Sequence, residues 1–204
     1  MLQVCVASRN EHKVNEYRLL LANAHWNLTS LPPDAPAAPE NGDSFEANAM
    51  EKAVFYSKLL HTWVLADDSG LVVPALEGQP GVRSARYAGV HGNDAANNRK
   101  LLARLQEVSG GNREAFFVCS IALWNQRLGV GAVVRGQVDG RILHEPRGDC
   151  GFGYDPLFEY VPLGKSFAEL SSVEKNRISH RFQAVQALSN AWKEGVERAF
   201  LRGQ

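Results

Sequence analysis

The sequence predicts an α/β fold built on a mixed β-sheet, and three observations carry that expectation. Short apolar runs alternate with segments of helical periodicity, as where Gln3–Ala7 is followed by Val14, Tyr17, Leu20 and Leu21. Two apolar runs, Ala115–Trp124 and Gly129–Val138, are joined by only a few residues, which places an antiparallel pair among strands otherwise separated by helices. The 204 residues, 45% hydrophobic and 22% charged, suffice for one sizeable core with a smaller lobe attached, a single domain over 1–204.

Taken in order, Gln3–Ala7 reads as the first strand and not as a secretory signal, being short and uncharged at its start. A helix follows over about Lys13–Asn23, and Leu28–Leu31 reads as a second strand. Pro32–Glu40 is a stiff Pro- and Ala-rich connector. Asp43 or Ser44 then caps a helix whose core stripe is Phe45, Ala49, Ala53, Tyr56 and Leu60, with Asn48 and Lys52 one turn apart on another face. Trp63–Ala66 is a buried strand ending at Asp67-Asp68-Ser69-Gly70, a sequence with the chemistry of a turn. Asn93 or Asp94 caps a third helix to about Val108, with Leu101, Leu102 and Leu105 inward. The last helix carries Phe182, Val185, Leu188, Trp192 and Val196 on its core face.

Composition excludes several classes. Lys plus Arg equals Asp plus Glu at 22 each, so the chain lacks the basic excess of a sequence-independent nucleic-acid binder. Cys5, Cys119 and Cys150 are odd in number and far apart, which fits a reducing compartment better than a disulfide framework or zinc site. No apolar run approaches the length of a membrane span. A cytoplasmic protein with a small-molecule partner, and neither nucleic acid nor membrane, is the expectation.

The chemistry-bearing residues form a set. Two adjacent carboxylates at the end of a buried strand repel one another and lose solvation unless a cation or a reacting group compensates. Strand alternation lets only one of them face a given site. Asp67, Asp68 and Glu40 suit a hard divalent cation, while Ser8, Lys13, Lys52, Ser69, Lys175 and Arg181 suit a polyanion. The stretch Gly148–Phe158 puts glycines around Phe152 and Tyr154, aromatics that suit a flat ring or, equally, a core turn. Lys175, His180 and Arg181 cluster at the start of the last helix, where the dipole disfavours cations; they are either exposed or paired with anions. A divalent cation, phosphates and a flat base together indicate a nucleotide.

Five blocks, SRNEHK, SFEANAMEKA, ADDSGLVVPALEGQPGVRSARYAG, GFGYDPLF and FAELSSVEKNRISHR, resemble in order the signatures of the inosine/xanthosine triphosphate pyrophosphatase family, from residue 4 to about 190. The resemblance implies an elongated mixed sheet flanked by helices, two lobes with the active-site cleft between them, and a homodimer. It implies hydrolysis of ITP, dITP and XTP to the monophosphate and pyrophosphate with Mg2+. By motif position Asp68 resembles the catalytic base and, with Glu40, a magnesium ligand, Asp67 being the alternative second ligand. Ser8, Arg9, Asn10, Glu11, His12, Lys13, Lys52 and Ser69 resemble substrate contacts, as do Phe152, Gly153, Tyr154, Asp155, Lys175, His180 and Arg181. Donors from His180, Arg181 or the backbone around Phe152–Asp155 are expected to meet a purine 6-oxo group. Here Ala47 precedes Asn48 and the acid of that block is Glu46, a departure from the family pattern. A non-catalytic nucleotide sensor and a phosphate-releasing hydrolase are the rival readings.

Overall fold

The computed structural model describes residues 1–196. Its strands are β1 (Leu2–Val6), β2 (Trp26–Ser30), β3 (Trp63–Val72), β4 (Glu114–Asn125), β5 (Val130–Ile142), β6 (Phe158–Tyr160) and β7 (Lys165–Ser166). The α-helices are α1 (Glu11–Leu20), α2 (Phe45–Leu60), α3 (Asp94–Gln106), α4 (Ser172–Lys175) and α5 (His180–Ala191). The strands join in the order β2-β1-β3-β4-β5-β6-β7. β1 runs parallel to both β2 and β3, whereas β5–β6 and β6–β7 are antiparallel, so the sheet is mixed and the fold is α/β. Among the described residues no helix is long and apolar enough to cross a membrane.

Side-chain caps set where the helices begin. Asn10 accepts from the Lys13 amide at 3.2 Å, which starts α1 two residues before the periodicity alone places it. Ser44, not Asp43, caps α2 through the Ala47 amide at 3.1 Å, and Asn93 caps α3 through Ala96 at 3.1 Å. The larger departure is at β3. It does not end at the acids but continues through Asp67, Asp68, Ser69 and Gly70 to Val72. The turn chemistry of Asp-Ser-Gly is overridden because apolar Leu71 and Val73 beyond it are fully buried, and packing outweighs local preference.

The chain divides into two compact units. The first comprises Met1–Asp68, Cys119–Gly136 and the described chain from Arg181 onward. Its core splits by the parity of β3. Trp63 and Leu65 pack with Val14 and Tyr17 of α1 and with Ala184, Val185 and Leu188 of α5. Val64 and Ala66 pack with Ala49, Ala53 and Tyr56 of α2. Helices α1 and α5 therefore cover one face of these strands and α2 the other, so each carboxylate that follows on β3 has a different helix to meet.

The second unit comprises Ser69–Val118 and Gln137–His180. Leu71 of β3 and Val73 just after it, Leu101 and Leu105 of α3, and a ring cluster of Phe117, Phe158 and Phe167 form its core. Phe117 and Phe158 lie 4.6 Å apart between centroids, and Phe158 and Phe167 lie 4.9 Å apart. Gly70 is fixed by close approach. A Cβ there would strike the Ser84 hydroxyl and lie 2.7 Å from the Gly81 carbonyl oxygen. The Ser84 hydroxyl occupies that space because it accepts from the Leu71 amide at 2.9 Å and donates to Gly81 at 2.7 Å. Gly70→Ala is accordingly expected to lower stability by about 1–3 kcal/mol, the usual cost of overpacking. A urea-melt midpoint unchanged from the parent would contradict this.

Candidate active site

In the first unit, the odd face of β3 continues into Asp67, which is 2% exposed. Its Oδ2 accepts from the Lys13 ammonium of α1 at 2.9 Å and lies 3.7 Å from an Arg181 guanidinium nitrogen of α5. Arg181 is 1% exposed; it also donates to Glu16 of α1, and its guanidinium carbon stands 5.8 Å from the Tyr17 ring centroid. Burial works against the charged form of Asp67, but Lys13, Arg181 and Lys52 outweigh it and hold the carboxyl well below the usual range. The same apolar surroundings push the Cys119 thiol beneath Tyr17 up to about 12, so it is an inert core group.

The even face of β3 continues into Asp68, which is only partly buried. Its Oδ2 accepts from the Asn48 side-chain amide of α2 at 2.9 Å. Burial pushes the Asp68 carboxyl up from its ordinary value, and Asp67 adds to the rise, against the pull of Lys52, the Asn48 bond and Lys13. One helical turn on from Asn48, Lys52 donates to Glu40 at 3.0 Å. Burial alone would lower the Lys52 ammonium, but Asp67, Asp68 and Glu40 raise it, so it is charged at neutral pH. Asn48 also accepts from the Gly42 amide at 2.9 Å, which ties the end of the Pro-rich connector to α2. Asn48 is thus bonded to Asp68, and Lys52, on the same face of α2, feels the charge of both acids.

The Ser8–Lys13 block opens this unit's other feature, a groove of about 470 Å³ lined in part by Ser8, Arg9 and Glu11. Ser8 accepts from the Asn10 amide at 3.1 Å, and Arg9 donates to the Ala35 carbonyl. Glu11 and His12 are exposed on the first turn of α1. Oxygen donors for a hard cation are present at Asp68 and Glu40, although no trio of His, Cys, Asp or Glu converges among the described residues.

In the second unit, the loop Gly151–Asp155 is held by its own polar groups. Asp155, 2% exposed, accepts from the Phe152 amide at 3.0 Å and from the Lys175 ammonium at 2.5 Å. Lys175 in turn stands 5.0 Å from the centroid of the partly exposed Phe152 ring. Gly151 takes a φ of +79°, and a Cβ there would strike the Asp155 carboxylate, so glycine is required. The Gly153 amide donates to Asp94 at 2.7 Å, and its carbonyl accepts from Asn98 at 2.9 Å, both from α3. Ser69, partly buried, leads from Asp68 into this unit along β3.

Several sequence expectations change here. Tyr154 is a core ring, 4% exposed with its hydroxyl on the Ser84 carbonyl at 2.9 Å, so it offers no open face to a base. The Phe152, Gly153 and Asp155 amides already donate within the protein, which removes them as donors to a 6-oxo group. His180 lies stacked on Phe117 at 4.8 Å, and Arg181 turns to Glu16 and Asp67. The basic cluster is divided: Lys175, at the end of α4, pairs with Asp155, and Arg181, in the first turn of α5, with Glu16 and Asp67. Sequence reasoning missed Glu16, Asp94 and Asn98. The last two stand four apart on α3 and so share a face.

A protein-family model described as the Ham1 family matches residues 4–191. The chain is 46% identical to the dITP/XTP pyrophosphatase of Geobacillus kaustophilus over 198 residues, covering 96% of this chain and 97% of that protein. It is 44% identical to the dITP/XTP pyrophosphatase of Geobacter sulfurreducens over 201 residues, covering 97% and 100%. Among solved structures it is similar to a HAM1 protein of Coxiella burnetii, with a TM-score of 0.88 and 39% identity over 96% of this chain and 100% of that one. The Ham1 protein of Staphylococcus aureus gives a TM-score of 0.82 at 38% identity, covering 94% and 98%.

Asp67→Asn keeps the shape and removes the charge, which leaves Lys13 and Arg181 around a neutral amide. The expected loss at pH 7 is about 3 kcal/mol, in line with breaking one side of a buried pair. The folded-state value of Asp67 lies below its unfolded value of about 3.9. Its contribution is therefore complete above that unfolded value and is lost as pH falls through the folded one. Denaturant melts should separate parent and variant at pH 7 and converge in strong acid; a constant gap would count against the assignment.

Proposed function

Since the chain belongs to the Ham1 family, we propose that it hydrolyses non-standard purine nucleoside triphosphates, ITP, dITP and XTP, to the monophosphate and pyrophosphate. The observation that carries the chemistry is the split between two adjacent carboxylates: Asp67 is buried against Lys13 and Arg181, while Asp68 is partly exposed beside the Asn48 amide. Asp67 is committed to its two cations, so Asp68 is assigned as the general base. Water attacks the α-phosphorus in line, its proton passes to Asp68, and the bond from that phosphorus to the α–β bridging oxygen breaks with release of pyrophosphate. Lys13 and Lys52 are assigned to the phosphates, whose charge they offset in a site where positioning and electrostatics supply most of the rate.

Magnesium belongs to the proposal. The donor set fits it, because Asp68 and Glu40 offer hard oxygens, and this ion takes one or two carboxylates with the rest of its shell from waters and substrate phosphates. When bound it would supply charge neutralisation to the triphosphate. Asp68 and Glu40 would hold it, in preference to Asp67, whose contacts are with Lys13 and Arg181. Base recognition is assigned to Phe152, whose ring is partly exposed. A homodimer acting in the cytoplasm completes the reading.

Incubation with ITP and magnesium, with pyrophosphate and orthophosphate measured separately, tests the whole proposal. Pyrophosphate with IMP is expected; no release would favour a nucleotide sensor, and orthophosphate a different hydrolase. Asp68→Asn is expected to lower kcat a hundredfold or more, within the range of general-base catalysis. Its fold should persist or gain slightly, since burial penalises the charged form it removes. The parent's rate is expected to rise with pH as Asp68 ionises, and a flat acid limb would remove Asp68 from the base role. Phe152→Ala is expected to raise KM for ITP by about tenfold, the scale of one lost base–aromatic stack, with products unchanged. An unaltered KM would move the base platform elsewhere.

A further inference from the structure

Helix α1 presents Lys13, Glu16 and Tyr17 at positions i, i+3 and i+4, so they occupy one face of the helix. That face meets two buried groups, Arg181 of α5 and Asp67 of β3. A single carboxylate oxygen, Asp67 Oδ2, serves two cations, with Lys13 at 2.9 Å and Arg181 at 3.7 Å. The first is a full hydrogen bond and the second a looser ion pair. Two cations competing for one acceptor have no fixed order of preference unless something else takes up part of one charge. Glu16, 17% exposed, does so: it accepts from the other arm of the Arg181 guanidinium. Arg181 is 1% exposed and stacks toward Tyr17, so it cannot relieve its charge in water.

We propose that Glu16 is a positioning residue: by holding one arm of Arg181 it leaves the Asp67 carboxylate to anchor Lys13, and so fixes where the Lys13 ammonium meets the triphosphate. The inference rests on the reading of Lys13 as a phosphate contact. Glu16 lies outside all five sequence blocks, and its effect is indirect, through Arg181 and Asp67. With Glu16 neutralised, Arg181 closes on the Asp67 oxygen and Lys13 loses its anchor. An ammonium out of place weakens the hold on the phosphates in ground and transition states alike, which appears in KM and not in kcat.

The variant Glu16→Gln keeps the size and a hydrogen-bond acceptor while removing the charge, so a role in packing alone would tolerate it. With ITP as substrate, Glu16→Gln is expected to raise KM about tenfold, the equivalent of one charge-assisted hydrogen bond, with kcat within about threefold of the parent. Glu16→Asp, which restores the charge, should recover most of that loss. In a Lys13→Met background the Glu16 change should add nothing, because its effect passes through Lys13. A second readout needs no substrate: the 15N resonance of the Lys13 ammonium, identified by its loss in Lys13→Met, should be slowed in exchange in the parent and in Glu16→Asp but not in Glu16→Gln. A KM within twofold of the parent, multiplicative effects in the double variant, an unchanged Lys13 resonance, or a Glu16→Gln protein that fails to fold would each overturn the inference. An inactive parent whose Lys13 resonance still answers to Glu16 would instead defeat the phosphate reading alone.

Discussion

A carboxylate buried in mid-strand sets the terms for the first unit. Asp67 is 2% exposed and ionised, and the effective penalty for taking such a group out of water is several kcal/mol. Only close partners of opposite charge can offset it. Lys13 comes from α1 and Arg181 from the opening turn of α5, more than a hundred residues apart in sequence. The phase of α1 is constrained as well, since the helix must aim Lys13 at Asp67 while it buries Val14 and Tyr17. Register of the strand, rotation of the first helix and the starting point of the last one are thus tied to a single oxygen atom.

The neighbouring Asp68 shows how little of this depends on residue type. Two aspartates joined by one peptide bond lie on opposite faces of β3, because side chains alternate along a strand. On one face α1 and α5 supply cations, and these overcome desolvation and lower the carboxyl. On the other α2 supplies the charge of Lys52 and the Asn48 amide at 2.9 Å; desolvation prevails and the carboxyl rises. The difference lies in the sum: Lys13, Arg181 and Lys52 outweigh burial at Asp67, whereas Lys52, Asn48 and Lys13 do not at Asp68. It divides the pair into one group that keeps its charge for structural reasons and one able to exchange a proton.

Much of this was legible in the sequence, and the exceptions have physical causes. The period-2 and period-3.6 patterns located the strands and helices of the first unit, and strand alternation put Asp67 and Asp68 on opposite faces. The i, i+4 spacing put Asn48 and Lys52 on one face of α2 without saying what that face meets; the fold bonds Asn48 to Asp68. What escaped was partnership across long sequence separation. The cluster holding Arg181 reads as either exposed or paired with anions, and nothing local identifies those anions as Glu16 and Asp67. Tyr154, after Gly153, reads equally as a base platform or a core aromatic; its hydroxyl finds the Ser84 carbonyl and its ring enters the core. The turn expected at Asp-Ser-Gly failed for the converse reason: a local preference of small size met burial of Leu71 and Val73 beyond it.

The cations assigned to the phosphates are prepared for that task during folding. Lys13 and Lys52 are 19% and 12% exposed, so most of their water has been removed before any ligand arrives. Exposed lysines would have to be stripped of solvent and fixed in one rotamer by the incoming anion, at a cost in both desolvation and side-chain entropy. Here carboxylates have already met those costs, Asp67 for Lys13 and Glu40 for Lys52, at 2.9 Å and 3.0 Å. A triphosphate then needs only to share or replace a carboxylate partner, an exchange of one anion for another around ammonium groups that stay in place. Charge held in fixed positions ahead of the reaction is the form of electrostatic stabilisation that requires least reorganisation when the phosphorus is attacked. The ion pairs around β3 are therefore part of the catalytic apparatus in the proposed reaction as well as part of the fold.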